Sequence, residues 1–170
     1  MKLTTKVLGT LTCVLSLNAL ATDLQPIDWT LTSAQIKENT KSKLTEDTPK
    51  RLTFESELFG AEFHLEYIFD DQQKLKTVLY YQSFDAKAEN CSTEYKRYKQ
   101  LVEEQYGETE AEVFKTDNAK VAPADQHCAF AARGEYRASS EWKSSHQTSN
   151  LSLATWKGTP YIGLSMTPNK

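Results

Sequence analysis

The chain has 170 residues, 20 basic and 23 acidic side chains, a formal net charge of −3 and 39% hydrophobic residues. That length allows one domain built on one core. Charges of both signs are scattered without a basic stripe, which argues against a nucleic-acid partner, and six glycines leave little material for a glycine-rich phosphate cradle.

The first 21 residues have the three-part form of a secretory signal peptide. Lys2 and Lys6 make a short positive start, and Val7 to Leu20 is mostly apolar and uncharged. This run falls short of the ~20 apolar residues a membrane span needs. Ala19-Leu20-Ala21 places small residues where a signal peptidase reads them, so cleavage is expected after Ala21. Cys13 lies inside the apolar run directly behind Thr12, which does not fit a lipid-anchor signal. Thr22 to Lys170 is then one domain of 149 residues carrying a charge of about −5, delivered to the periplasm or secreted.

Residues 22–31, with Pro26 and Trp29, read as an extended lead-in. Thr32-Ser33-Ala34-Gln35 has the form of a capping box, and a helix is expected from there to about Leu44. Thr48-Pro49 should stop it. Leu52, Phe54 and Leu58 then alternate with polar residues, as do Phe63, Leu65, Tyr67 and Phe69, and Leu75, Leu79 and Tyr81 follow at period two. These are three antiparallel strands with one apolar face. A five-residue loop, 70–74, pairs Phe69 with Leu75, Leu65 with Leu79 and Phe63 with Tyr81. A shorter loop would turn Lys74 and Lys76 into the core. The outer face then carries His64 opposite Tyr80, Glu66 opposite Val78 and Ile68 opposite Lys76.

Tyr95, Tyr98, Leu101, Val102 and Tyr106 recur at helical spacing over 92–106, and Gly107 follows as a C-terminal cap. Residues 110–116 read as a short strand and 117–126 as a polar loop. A strand follows with Tyr136, Ala138, Ser140 and Trp142 on one side, then a polar loop over 143–150. Leu151, Leu153, Ile162, Leu164 and Met166 form a terminal hairpin around Lys157-Gly158-Thr159-Pro160. Pairing Trp156 with Tyr161 puts the aliphatics on one face and both rings on the other. The fold class is therefore α+β: an antiparallel β-sheet with helices packed on one face, a helix-plus-three-strand unit occurring twice.

Cys91 and Cys128 are the two cysteines left after cleavage, and an even count in an exported chain reads as a disulfide. His64, His127 and His146 fit no metal template, and no metal or other cofactor is expected. Ser144, Ser145 and His146 are neighbours without any nucleophile motif around them. Glu62 and Glu66 point outward on one strand, where water keeps carboxylates ordinary, so no catalytic residue is assigned. Tyr80, Trp156 and Tyr161, with His64, fall on the outer face in this register. Aromatic side chains dominate the energetics of protein interfaces, so these four are the expected partner-binding residues.

The stretch FHLEYIFDDQQKLKTVLYYQSF, the helix YKRYKQLVEEQYG, a Trp-containing strand and the hairpin LSLATWKGTPYIGLSM carry a resemblance over residues 50–167. In pattern and order they resemble small exported bacterial proteins of the β-lactamase-inhibitor-protein-like class and the related BamE outer-membrane assembly factors. The resemblance implies a non-enzymatic protein that presents a sheet face or loops to another protein. The expected function is a periplasmic protein-binding module, an inhibitor or immunity protein against an envelope-acting enzyme. An envelope-assembly scaffold is the alternative, and a small hydrolase a third.

Overall fold

In the computed structural model, Thr32 opens the first helix with a complete capping box. Its hydroxyl accepts the Gln35 N–H at 3.4 Å, and the Gln35 side-chain oxygen accepts the Thr32 N–H at 3.0 Å. The structure describes Leu24, residues 27–116 and residues 123–169; the expected signal peptide and its cleavage point lie outside these. Helix α1, Ser33–Asn39, is shorter than the expected run to Leu44, because Ile36 alone of its residues is buried. Leu44–Thr48 pairs instead as an edge strand, β1, fully exposed along its length.

Three strands follow as a meander: β2, Arg51–Leu58, β3, Ala61–Phe69, and β4, Leu75–Ser83. Phe59 and Gly60 join β2 to β3 with φ of 55° and 72°. Two successive left-handed residues twist the turn with its strands. Helix α2, Cys91–Tyr106, buries Tyr95, Tyr98 and Val102 at helical spacing and stops at Gly107, whose φ is 86° and whose N–H reaches Glu103 O at 2.8 Å. Then come β5, Ala111–Thr116, a 3₁₀ turn at Ala124–Gln126, α3, His127–Ala132, β6, Tyr136–Lys143, β7, Gln147–Trp156, and β8, Thr159–Pro168. α3 falls where the sequence predicts only a passage between loop and strand. β7 starts inside the expected polar loop, because Gln147 and Ser149 are buried polar residues; Gln147 Nε2 donates to Ser149 Oγ at 3.3 Å.

The eight strands form one antiparallel sheet in the order β1-β2-β3-β4-β8-β7-β6-β5. The fold is α+β with the sheet dominant. Its chain order is a helix and four strands, then helix, strand, helix and three strands, so one helix with three strands does not recur as a unit. Residues paired across strands share a face, and Phe54, Leu65, Tyr80, Leu164 and Leu151 pair in succession. The three described helices cover that inner face. Ile36 of α1, with Ile27, Trp29 and Leu31 of the lead-in, closes over Leu52, Phe54, Val78 and Met166. α2 and α3 close over Leu151, Leu153, Ile162 and Leu164.

The Cys91–Cys128 disulfide joins the first turn of α2 to α3, with both residues fully buried and Cα atoms 5.4 Å apart, a separation ordinary for such a bridge. On this face the Tyr95 hydroxyl and Ser140 Oγ lie 2.8 Å apart, and Trp142 Nε1 donates to Gly107 O at 3.0 Å.

Candidate binding face

Among the described residues, no helix lies over the reverse of the sheet. Its side chains follow from the pairing. Phe69 pairs with Leu75 across the expected five-residue loop, but Ile68 pairs with Thr77, leaving Lys76 as an extra residue in a bulge. The bulge changes which side chains of β4 point inward. Leu75 and Val78 are both buried in the core, where strict alternation would have turned Val78 out. Beyond it, His64 pairs with Tyr81, Leu65 with Tyr80 and Glu66 with Leu79.

This corrects one expected site residue. Tyr80 is on the inner face, packed against both core clusters. Burial, and then the nearby Tyr67 and Tyr106, push its hydroxyl up to about 12. Tyr81 takes the outer position instead and stacks on His64, with ring centroids 5.0 Å apart and planes at 24°. The terminal hairpin also differs in detail. Trp156 pairs with Thr159, and Tyr161 with Ala154, across a two-residue turn of Lys157 and Gly158 with φ of 49° and 83°. The slip is two residues, which preserves the face, so Trp156 and Tyr161 remain outside as the alternation predicts. Trp156 is 69% exposed, and the Lys157 ammonium lies 5.6 Å from its ring centroid.

These side chains line a cleft of about 550 Å³ with Arg51 and Glu66 at one end and Trp156 and Lys157 at the other. Leu79, Tyr81 and Tyr161 form its middle. Gly163 lies beneath them, paired with Tyr81 and Ser152. A Cβ there would sit 3.2 Å from both Leu79 Cδ1 and Tyr161 Cε2, so the missing side chain is what lets the leucine and the ring close over the backbone. A second hollow, of about 760 Å³, adjoins His64 and carries Glu55, Glu57 and Glu62.

Glu66 is not the ordinary surface carboxylate its position predicts. It is 7% exposed. Burial raises its pKa above the usual carboxylate value, against the opposing pull of Arg51, and the Glu46 charge adds to the rise. Arg51 lies 3.6 Å from Glu66 and 3.9 Å from Glu46, an ion-pair bridge between two anions. A carboxylate whose folded pKa is raised binds its proton more readily folded than unfolded. Its ionisation therefore costs stability as pH rises through the unfolded and then the folded pKa. Glu66→Gln, which copies the protonated form, is expected to stabilise the protein at about pH 7 and to lose that advantage near pH 4. Urea midpoints of both proteins at the two pH values test this; equal shifts at both would refute it.

Elsewhere the chemistry is structural. Ser144 Oγ accepts the N–H groups of His146 and Gln147 at 3.2 and 3.1 Å, so it serves a turn. His127 stacks on Tyr136 at 4.1 Å. Among the described residues no group of three His, Cys, Asp or Glu side chains gathers as a metal site, and no helix is long and apolar enough to cross a membrane. No protein-family model matches the chain, and neither a curated protein nor a solved structure matches it.

Proposed function

We propose that this is an exported, non-catalytic protein that binds another protein through the outer face of its sheet. Its partner in this reading is an envelope-acting or secreted enzyme that it inhibits or neutralises. One observation carries the reading. The three described helices lie on one side of the sheet, while the other presents Trp156, Tyr161 and Tyr81, itself stacked on His64, around an open cleft. Ring side chains of this kind, held on regular strands, are the anchors that give protein interfaces most of their energy. Their strand positions leave little conformational entropy to lose on docking. The buried disulfide and the signal-like first 21 residues support export.

The test is capture from an envelope extract of the source cells. The native protein is expected to retain a secreted or envelope enzyme and to lower its activity. Trp156→Ala and Tyr161→Ala should each weaken that capture by roughly tenfold or more, since interface anchors of this type cost ~2 kcal/mol or more when truncated. Both variants remove exposed or half-exposed rings and should keep native urea midpoints. Undiminished capture by the double variant would overturn the assignment of the face.

A further inference from the structure

One row of charges on the outer face follows a pattern that a twofold axis satisfies. One row is registered across seven strands, from Glu55 on β2 through His64, Tyr81 and Gly163 to Val113 on β5. Two residues further along each strand, on the same face, lies a second row. Glu57 and Glu62 stand at its β2–β3 end, Tyr161 on β8, and Arg137 and Lys115 at its β6–β5 end. β8 is the middle strand of the seven. The acidic and basic ends are therefore equally far from Tyr161 on opposite sides.

Glu57 and Glu62 are directly opposite each other, and like charges so placed destabilise a strand pair. Arg137 and Lys115 are likewise directly opposite. All four are exposed, and among the described residues none is in an ion pair. Each pair lacks the opposite charge that the other, across the sheet, possesses.

We infer that a second copy of this chain docks on the outer face, about a twofold axis that runs along β8. Rotation about an axis parallel to the strands keeps each row in place and reverses the order of the strands. Glu57 then meets the partner's Lys115, Glu62 meets the partner's Arg137, and the two Tyr161 rings meet on the axis. Each charged contact occurs twice and the Tyr161 self-contact once, as an isologous interface requires. Two sheets packed face to face with strands nearly aligned form a sandwich, which their twist permits.

The area suffices. Seven strands ~4.8 Å apart and four rows ~6.8 Å apart span roughly 29 by 20 Å, about 600 Å² per copy. The total of about 1,200 Å² reaches the lower end of stable interfaces. An unrelated partner would need an acidic flank, an aromatic centre and a basic flank in the reverse order; the chain supplies these by symmetry. This inference does not depend on a foreign partner, and the same face is hidden whenever the copies are joined.

Sedimentation of the full, exported chain tests it. The native protein is expected to be a dimer at micromolar concentration and low salt, with a dissociation constant that rises as salt screens the rim charges. Glu57→Lys with Glu62→Lys should weaken the dimer at least tenfold. Lys115→Glu with Arg137→Glu should do the same. All four together should restore it, since the swapped charges again meet their opposites. If a reversed variant loses its native circular dichroism, Glu62→Gln and Arg137→Gln replace it, each expected to weaken the dimer about threefold. A native protein that stays monomeric, a dimer indifferent to both reversals, or a folded fourfold variant that stays monomeric overturns the inference.

Discussion

Replacing Cys91 and Cys128 together by alanine is expected to lower the free energy of unfolding by about 4 kcal/mol, the chain-entropy value for a closed loop of this size. The bridged positions enclose 38 residues counting both ends. That span holds all of α2 and β5 and the first two residues of α3. Strain in the native bridge does not enter this figure; it counts only the freedom returned to the unfolded chain. A loss of that size corresponds to a melting temperature lower by roughly 8–16 °C in a domain this large. Reducing the native protein under denaturing conditions should reproduce the effect, because neither sulfur is reachable while the fold is intact. Urea titration of the double variant is the direct measurement. A change below about 1 kcal/mol would mean the bridge merely decorates helices already held by Tyr95, Tyr98 and Val102 of α2 and Ala131 of α3.

Trp142→Ala is expected to cost about 3–5 kcal/mol, the usual range for removing a large buried ring. Trp142 is 3% exposed, faces the helices from β6, and holds Gly107 O at the end of α2. Its loss empties a space between the last turn of α2 and the sheet and strands a carbonyl at a helix terminus. Trp142→Phe separates the two effects. It keeps most of the ring volume and gives up the hydrogen bond, for roughly 1–2 kcal/mol. Equal losses for the two variants would show that packing contributes little there.

The local features of the fold were legible because each depends on adjacent residues. Thr32 and Gln35 cap one another, Gly107 ends α2, and Tyr95, Tyr98 and Val102 mark its buried side. Trp156 and Tyr161 were legible on the outer face, despite the wrong partner across the turn, because a slip of two leaves alternation unchanged. Tyr80 was not. Leu79 and Tyr81 alternate as well as Val78 and Tyr80 do, and only the extra residue Lys76 decides between them. Strand β1 carries no apolar alternation at all and exists because β2 offers an edge. The burial of Glu66 arises from side chains on neighbouring strands, Arg51, Leu79 and Tyr81 among them, which no window along the chain contains.

The place of β8 has a consequence for how the molecule is made. It is the last of the described strands along the chain, yet it lies between β4 and β7. Before residues 159–168 emerge, β1 to β4 and β5 to β7 are two separate ribbons, each with an unpaired border. This ten-residue strand is the keystone that welds them. Such long-range closure is slow, so the two ribbons stay unjoined, and the sheet pliable, until that segment finds its place between them.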